Sequence, residues 1–209
     1  MGEHYFAPEP AAASRPGVVD LVLPDLHLRL ETDRGMFSPD RVDPGTRILL
    51  ETVPAPPPEG HLIDLGCGYG PIALTMATRA PQAMVLGVDV NGRALDLAKR
   101  NASAARLYNV KFNLPDEVDP GLRFAALWSN PPIRIGKAAL HDLLSTWLER
   151  LSPGGTAHLV VQKHLGSDSL QRWLTAQGWP AERIASRSAY RVLAVSARKS
   201  HAEPAAERP

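Results

Sequence analysis

The feature that most constrains this chain is an apolar run that breaks into three alternating glycines, His61-Leu62-Ile63-Asp64-Leu65-Gly66-Cys67-Gly68-Tyr69-Gly70-Pro71. A short, continuous apolar run is typical of a strand buried in a parallel sheet. Pro71 suits the first turn of a helix, because its missing N–H would have no partner there, and a helix is predicted over Ile72 to Arg79. Glycines let the backbone approach a ligand closely, and a helix N-terminus offers unpaired N–H groups. The stretch therefore predicts a nucleotide-type binding site, and Asp64, at the carboxyl end of the strand, is expected to face the same crevice.

On its own, such a pattern also fits a plain glycine-rich turn, and the rest of the chain decides between the two. Strand-like runs recur after the motif, at 83–89, 109–112, 124–129, 156–161, 184–188 and 190–197. Helices are predicted between them: after Asn91 as an N-cap, over 137–151 before a Ser152-Pro153-Gly154-Gly155 terminator, and over 170–177. This alternation predicts an α/β fold, a Rossmann-like, doubly wound and mostly parallel seven-stranded sheet. Ligands bind outside the carboxyl ends of such strands, and that is where the following residues fall: Asp64, Gly66, Gly68, Asp89 and Asn130.

The part of the chain before the motif is predicted to be a small extension. Two strand-like runs, 18–23 and 26–31, flank Pro24-Asp25 and predict an N-terminal β-hairpin. Asp43 fits an N-cap, and Pro44 fits the first position of a short helix that continues to Glu51. The predicted organisation is a lead-in at 1–17, the hairpin, a loop and the helix at 18–60, the binding domain at 61–198, and a polar tail at 199–209 that we expect to be disordered.

Composition limits the partners that the chain can bind. The 209 residues include 23 Lys and Arg against 22 Asp and Glu, so a nucleic acid must be held by a local patch rather than by bulk charge. The single cysteine, Cys67, excludes an internal disulfide and a multi-cysteine zinc site, and we expect it to be a packing residue. The seven histidines never show metal-ligand spacing, so no metal is expected. Without a membrane-length apolar run or a signal pattern, the expectation is a cytoplasmic protein.

Two ligands compete for the glycine motif. A dinucleotide site normally uses GxGxxG, whereas the spacing here is GxGxG with Asp64 immediately before it. An acid at that point would oppose a pyrophosphate and favour a ligand that carries positive charge. S-adenosylmethionine has a sulfonium and an ammonium group and no phosphate. Asp89 ends the next strand, where a carboxylate can accept hydrogen bonds from two ribose hydroxyls. We therefore favour S-adenosylmethionine, with a dinucleotide as the alternative.

These residues resemble a known family. Residues 63–70 together with Gly87-Val88-Asp89-Val90-Asn91 resemble the cofactor site of class I S-adenosylmethionine-dependent methyltransferases. The resemblance implies that the cofactor is bound by Asp64, Gly66, Cys67, Gly68, Gly70, Asp89, Val90 and Asn130. Asn130-Pro131-Pro132-Ile133 resembles the catalytic motif of those members that methylate planar amino or amide nitrogens.

A narrower resemblance concerns the substrate. The segments that carry it are His4-Tyr5-Phe6, Gly35-Met36-Phe37-Ser38, Asp43-Pro44-Gly45-Thr46 and the run from Asn130 to Lys137. They resemble the single-domain rRNA guanine-N2 methyltransferases of the small ribosomal subunit. This implies methylation of a guanine N2 in 16S rRNA, with rRNA or the small subunit as partner, reached alone, as a homodimer or through another subunit. The alternatives are an adenine-N6, protein glutamine-N5 or small-molecule methyltransferase and, in a different class, a noncatalytic cofactor- or RNA-binding domain.

The chemistry indicates what the motif residues would do. The exocyclic amine of guanine is a poor nucleophile, because its lone pair is delocalised into the ring. The side-chain oxygen of Asn130 and the carbonyl of Pro131 can accept its two N–H groups and direct the lone pair at a methyl group. Consecutive prolines, Pro131 and Pro132, stiffen the turn that carries both acceptors.

Ile133 departs from the pattern of many relatives, which place an aromatic residue there to stack on a flipped base. We expect the missing ring to come from Phe37 or from the Tyr5-Phe6 pair. RNA contacts are expected from four cations near the mouth of the crevice, although each also fits ordinary solvated charge: Arg34, Arg134, Lys137 and Lys163.

Overall fold

The computed structural model describes residues 16–33 and 41–198. The predictions made for Tyr5-Phe6, Arg34, Phe37 and the tail at 199–209 lie outside these residues.

The N-terminal extension is a two-stranded antiparallel sheet followed by a helix. Strand β1 (Pro16–Leu23) pairs with β2 (Leu26–Asp33), and the pairing closes at Leu23 and Leu26, as the hairpin prediction required. Helix α1 (Pro44–Thr52) begins where it was predicted, because the side chain of Asp43 accepts a hydrogen bond from the Thr46 N–H at 3.0 Å.

The main domain contains seven strands and four further helices. The strands are β3 (His61–Leu65), β4 (Met84–Val88), β5 (Val110–Asn113), β6 (Phe124–Ser129), β7 (Leu151–Gln162), β8 (Ala181–Arg187) and β9 (Tyr190–Ser196). The helices are α2 (Pro71–Arg79), α3 (Gly92–Ala104), α4 (Lys137–Leu148) and α5 (Ser167–Ala176). Asn91 caps α3 as predicted, since its side chain accepts from the N–H groups of Arg93 and Ala94.

The seven strands form one sheet in the order β5-β4-β3-β6-β7-β9-β8. Strands β3 to β7 are parallel, and β9 runs antiparallel to both β7 and β8. The predicted mostly parallel, doubly wound sheet is therefore confirmed. Strand order reverses between β3 and β6, which is where such folds place a ligand.

Apolar side chains fill both faces of the sheet. One cluster packs the hairpin, α1, α2 and α3 on one face, with Leu49, Leu74 and Leu97 at its centre. The other packs α4 and α5 on the opposite face, through Leu144 and Leu170. Among the described residues, no helix is long and apolar enough to cross a membrane.

Most element boundaries differ from their predictions by a few residues, and the clearest difference lies between α4 and β7. Helix α4 ends at Leu148 rather than Leu151, and Ser152-Pro153-Gly154-Gly155 lies inside β7 instead of terminating a helix. The chain joins the sheet early, because the N–H of Phe124 donates to the carbonyl of Arg150 at 2.8 Å. The glycines allow an irregular register here, since a Cβ on Gly155 would lie 2.9 Å from the Phe124 carbonyl oxygen.

Candidate active site

A cavity of about 300 Å³ opens at the carboxyl edge of the sheet, at the reversal of strand order. Its walls come from the turn after β3, the ends of β4 and β6, the first turn of α1, and the point where β7 meets β9. The residues that line it are Asp43, Thr46, Gly66, Cys67, Gly68, Tyr69, Pro71, Ile72, Asp89, Asn91, Ala94, Asn130, Pro131, Pro132, Ile133, Arg134, Gln162, Leu165 and Tyr190.

The glycine turn forms the floor of one side. The N–H groups of Gly66 and Cys67 both donate to the Val88 carbonyl, at 2.8 and 3.0 Å, which fixes the turn to the neighbouring strand. Gly68 has a φ of +53°, and a Cβ built on it would meet nothing within 4 Å. The turn therefore needs glycine for its backbone conformation, and it leaves open space above the backbone for a ligand.

Asp89 ties the end of β4 to this turn. Its Oδ2 accepts from the Gly68 N–H at 2.8 Å, and its Oδ1 accepts from the Asn91 N–H at 3.0 Å. Burial raises the pKa of Asp89, and the backbone N–H groups that it accepts partly oppose that rise. Each carboxylate oxygen can accept a second hydrogen bond, so Asp89 can hold the turn and still bind hydroxyl groups in the cleft.

Asp64 does not line the cavity, contrary to the expectation that it faces the crevice. Its side chain is fully buried, and its Oδ2 accepts from the Ala73 N–H in the first turn of α2 at 2.9 Å. Burial raises the pKa of Asp64 well above its usual range, against the lowering effect of the Ala73 hydrogen bond, and the charge of Asp89 adds to the rise. The carboxylate of Asp64 thus pairs with an N–H group at the start of α2 that has no partner within the helix. Asp64 therefore stabilises the glycine turn from the buried side, not from the cavity.

Of the other residues predicted to bind the cofactor, some line the cavity and some do not. Gly66, Cys67 and Gly68 line the cavity, whereas Gly70 and Val90 do not. Gly70 caps α2 in a left-handed conformation, with a φ of +98°. Cys67 is buried, and burial raises the pKa of its thiol, as do the charges of Asp89 and Asp64, which agrees with packing rather than nucleophilic chemistry.

Asn130 is held at the other side of the cleft by the start of α1. Its Nδ2 group donates to Asp43 Oδ1 at 2.8 Å and to Thr46 Oγ1 at 3.1 Å. A carboxylate accepts but cannot donate, so this contact fixes which end of the Asn130 amide is the nitrogen. The amide oxygen is consequently left as an acceptor. Asp43 and Thr46 are both buried, which holds the arrangement away from competing water.

The two prolines after Asn130 make a tight turn. The N–H of Ile133 donates to the Pro131 carbonyl at 2.8 Å, and Pro132 has φ −74° and ψ 74°. These values describe an inverse γ-turn centred on Pro132. Pro131, Pro132 and Ile133 all line the cavity, and the Pro131 oxygen keeps a second lone pair for a ligand.

Of the three predicted RNA-binding cations that the structure describes, only one lies at the cavity. Arg134 lines the cavity, whereas Lys137, at the start of α4, and Lys163, just after β7, are exposed outside it. Arg34 and Phe37 lie outside the described residues. In the part of the chain that the structure describes, no group of three or more His, Cys, Asp or Glu side chains could hold a metal ion.

Several lining residues were not singled out from sequence. Gln162 and Tyr190 face each other across β7 and β9, and Gln162 Nε2 donates to Tyr190 Oη at 2.9 Å. Gln162 directly follows the predicted strand 156–161, so its place at a carboxyl end could have been noticed. Tyr190 offered no such signal, since only the antiparallel course of β9 brings it to this edge.

Comparison with known proteins identifies the family. The pattern of the family described as "Methyltransferase small domain" matches residues 27–194, which is most of the chain. The chain belongs to this family. Membership in a methyltransferase family supports S-adenosylmethionine, the cofactor predicted from the glycine motif.

The curated relatives include methyltransferases named for the RNA of the small ribosomal subunit and others named for the RNA of the large subunit. An uncharacterised protein of Bacillus subtilis, YbxB, is 36% identical over 81% of this chain and 86% of its own length. A ribosomal RNA small subunit methyltransferase C of Hahella chejuensis is 33% identical over 79% of this chain and 48% of its own. A ribosomal RNA large subunit methyltransferase G of Shewanella amazonensis is 30% identical, over 75% and 43% respectively. The chain thus spans less than half the length of these two methyltransferases.

A solved structure confirms the fold. The 16S rRNA N2 G1207 methyltransferase of Thermus thermophilus, in complex with AdoMet and guanosine, superposes with a TM-score of 0.70. The match covers 91% of this chain and 52% of that one, at 21% sequence identity. The class I methyltransferase architecture predicted from the sequence is therefore correct.

Proposed function

We propose that this protein transfers a methyl group from S-adenosylmethionine to the exocyclic N2 of a guanine in 16S rRNA. The observation that carries the proposal is the held amide of Asn130, whose two N–H groups are taken by Asp43 and Thr46. An acceptor oxygen fixed at the end of β6, beside the glycine turn, is what a weakly nucleophilic amine needs in order to be oriented.

The cleft fits the cofactor at its glycine side. Gly68 leaves the floor open, and Asp89 offers two oxygens that suit the hydroxyls of a ribose. Among the described lining residues, Arg134 is the one Lys or Arg, against the acids Asp43 and Asp89. This balance favours a cationic ligand over a pyrophosphate. When bound, S-adenosylmethionine supplies an electrophilic methyl group on its sulfonium.

The contribution of the protein is alignment. Asn130 Oδ1 and the second lone pair of the Pro131 carbonyl would accept the two N–H groups of the target amine and turn its lone pair toward the cofactor. Positioning reacting atoms about 3 Å apart can contribute several kcal/mol, up to roughly 10 kcal/mol in the best cases. No strong base is required, because the nitrogen becomes acidic once it carries the methyl group.

The proposal that the substrate is ribosomal RNA is based on the curated relatives. Two families of curated relatives are named for ribosomal RNA methylation, one for each subunit. Guanine N2 in 16S rRNA is favoured by the Thermus enzyme, which is named for N2 methylation of G1207 in 16S rRNA, and by the Asn-Pro-Pro motif. The second candidate substrate is 23S rRNA, which the large-subunit relatives favour.

Contacts to the rest of the RNA are proposed for Arg134 at the cavity, for Lys137 and Lys163 near it, and for Arg34. Ile133, an aliphatic residue, follows the two prolines in the cleft, so we propose that Phe37, or the Tyr5-Phe6 pair, supplies the ring that stacks on the target base. Phe37→Ala should then reduce RNA methylation far more than cofactor affinity. Equal loss of both, or of neither, would remove Phe37 from the site.

The test is transfer of tritium from labelled S-adenosylmethionine to naked 16S and 23S rRNA and to isolated small and large subunits, followed by digestion to nucleosides. The proposal expects N2-methylguanosine from 16S rRNA or the small subunit. Label confined to 23S rRNA would select the second candidate. Tight cofactor binding without incorporation into any of the four substrates would falsify the rRNA assignment.

A further inference from the structure

Gln162 and Tyr190 form a polar pair in the wall of the cleft whose remaining hydrogen-bonding groups point to a specific ligand edge. They are directly opposite each other in the β7–β9 ladder. Because β9 runs antiparallel to β7, the last residue of β7 and the first of β9 lie at the same edge of the sheet as the end of β6. Both side chains line the same cavity as Asn130.

The Tyr190 ring lies against the same helix turn that holds Asn130. A Cβ on Gly45 would stand 2.7 Å from Tyr190 Cε1 and 2.9 Å from Asp43 Oδ1. The ring therefore packs on the bare backbone of Gly45, in the first turn of α1, and Asp43 at that turn accepts from the Asn130 amide. Asn130 and Tyr190 are thus positioned by one structural unit.

The hydrogen bond within the pair determines what each group still offers. Gln162 Nε2 donates to Tyr190 Oη, so the phenol keeps its own hydrogen to donate and Gln162 keeps its Oε1 to accept. Within residues 16–33 and 41–198, no protein group engages either of them in a hydrogen bond. The pair therefore presents one acceptor and one donor, side by side, to whatever lies in the cleft.

Guanine has the matching pattern next to its target amine. Beside N2 stand N1–H, a donor, and O6, an acceptor, along one edge of the ring. In adenine, the ring atom beside the amine is an unprotonated N1, which is an acceptor. This N1 would lie opposite the Gln162 Oε1, which is also an acceptor, so no hydrogen bond could form. A site whose polar groups are left unpaired rejects the wrong ligand strongly.

We propose that Gln162 Oε1 accepts from N1–H and that Tyr190 O–H donates to O6 of the methylated guanine, so that this pair selects guanine over other amine-bearing bases. The inference rests on the proposed function and adds the residues that determine base specificity. Asn130 and Pro131 would hold the reacting amine, and Gln162 and Tyr190 would read the edge beside it.

The test uses 2-aminopurine, which keeps the amine at C2 and lacks both N1–H and O6. Once the transfer assay has identified the methylated nucleotide, a short RNA containing that site is made with guanine or 2-aminopurine at the target position. The value of kcat/KM is measured for both RNAs with the wild type, Gln162→Leu and Tyr190→Phe. Tyr190→Phe keeps the ring on Gly45 and removes only the hydroxyl. Leu165→Ala, an apolar change in the same cavity, is the matched control.

The wild type should prefer guanine by about 10- to 100-fold, the value expected for two hydrogen bonds. Each variant should lower that preference at least three-fold by slowing transfer to guanine, with cofactor affinity unchanged. Transfer to 2-aminopurine should not fall in either variant, and it can rise in Gln162→Leu, which removes the acceptor that faces the unprotonated N1. The Leu165→Ala control should change both substrates equally. A preference that survives in both variants, or an equal loss on both RNAs, would overturn the assignment of the pair. Absence of guanine methylation by the wild type would instead overturn the proposed function on which it rests.

Discussion

The cleft has two halves that are built by different means. The glycine half, made of Gly66, Cys67, Gly68, Asp89 and Asn91, is held largely through backbone groups. Its bonds run from backbone N–H groups to the Val88 carbonyl and to the Asp89 carboxylate. The asparagine half, made of Asp43, Thr46, Asn130 to Ile133, Gln162 and Tyr190, is held largely by hydrogen bonds between side chains.

The two halves also differ in how far apart their residues lie in the sequence. The glycine half comes from two successive strand-to-helix connections, between residues 66 and 91. In the asparagine half, Asn130 is separated by 87 residues from Asp43 and by 84 from Thr46. The difference indicates a division of work, in which a locally folded half binds the cofactor and a half assembled from distant segments orients the substrate.

The largest expected effect is that of Asn130→Ala. Loss of the fixed acceptor oxygen should lower kcat by about 10²- to 10³-fold, the range measured when one preorganised hydrogen-bonding group is removed from an active site. Cofactor affinity, measured by calorimetry, should stay within a few-fold. Asn113→Ala is the matched control, because Asn113 ends β5 at the same edge of the sheet but lies outside the cavity. A similar loss in Asn113→Ala would assign the effect to the sheet rather than to the site.

Asp89→Ala should produce the opposite pattern. Removing a carboxylate that binds ribose hydroxyls is expected to weaken cofactor binding by about 10- to 100-fold, the equivalent of one or two hydrogen bonds to a charged group. At saturating cofactor, kcat should fall only a few-fold. Unchanged affinity in a variant that still folds would show that Asp89 serves only the Gly68 turn.

Asp43→Ser tests the support of Asn130. Serine caps helices about as well as aspartate, so α1 should stay intact. Its shorter side chain loses the charged acceptor for Asn130 Nδ2, and we expect kcat to fall about tenfold with an unchanged unfolding midpoint. Thr46→Val, which removes the neutral partner, should cost less. An Asp43→Ser variant as active as the wild type would mean that the turn around Pro132 positions Asn130 without help.

The last expected effect is on stability rather than on activity, and it concerns His158, on β7 opposite Trp128 of β6. Burial lowers the pKa of His158 to about 4, and its Nδ1 has no hydrogen-bond partner among the described residues. The unfolded chain takes up this proton near pH 6.5 and the folded protein only near pH 4, so the contribution to stability is complete above pH 6.5 and is lost as pH falls to 4. The loss should be about 1–3 kcal/mol in the free energy of unfolding.

This contribution is measured as a difference between proteins, since the raised pKa values of Asp64 and Asp89 act in the opposite direction on acidification. Urea unfolding is compared at pH 7 and pH 4.5 for the wild type, His158→Gln and, as an exposed control, His164→Gln. Between pH 7 and pH 4.5, His158→Gln should lose less stability than the wild type, whereas His164→Gln should change as the wild type does. If both variants depart equally from the wild type, burial of His158 is not the cause.

The same division explains which parts of the site could be predicted from the sequence. Gly66, Gly68 and Asp89 sit directly after apolar runs, so their place at strand ends follows from the run itself. Asp64 had the same signal, but the unpaired N–H of Ala73 competed for its carboxylate and took it beneath the turn. A motif reveals that an acid is present, and the three-dimensional neighbours decide which way it points.

The asparagine half was predicted only where a motif marked it. The sequence marks Asn130 and Pro131 as acceptors, whereas it marks Asp43 only as a helix cap and does not reveal its second hydrogen bond, to Asn130. Tyr190 reaches the cleft only because β9 reverses direction after β8, and no local pattern encodes that. The end of α4 was misplaced for a related reason, since prolines and glycines at 152–155 mark a bend in either a helix or a strand.

The most direct test of this division is a paired measurement on Asn130→Ala and Asp89→Ala: cofactor affinity by calorimetry, and methyl transfer to rRNA in a single turnover at saturating cofactor. Asn130→Ala should bind S-adenosylmethionine within a few-fold of the wild type and transfer the methyl group about 10²- to 10³-fold more slowly. Asp89→Ala should bind about 10- to 100-fold more weakly and, once saturated, transfer within a few-fold of the wild-type rate. If both variants lose binding and transfer in parallel, the two halves do not have separate functions and the account is contradicted.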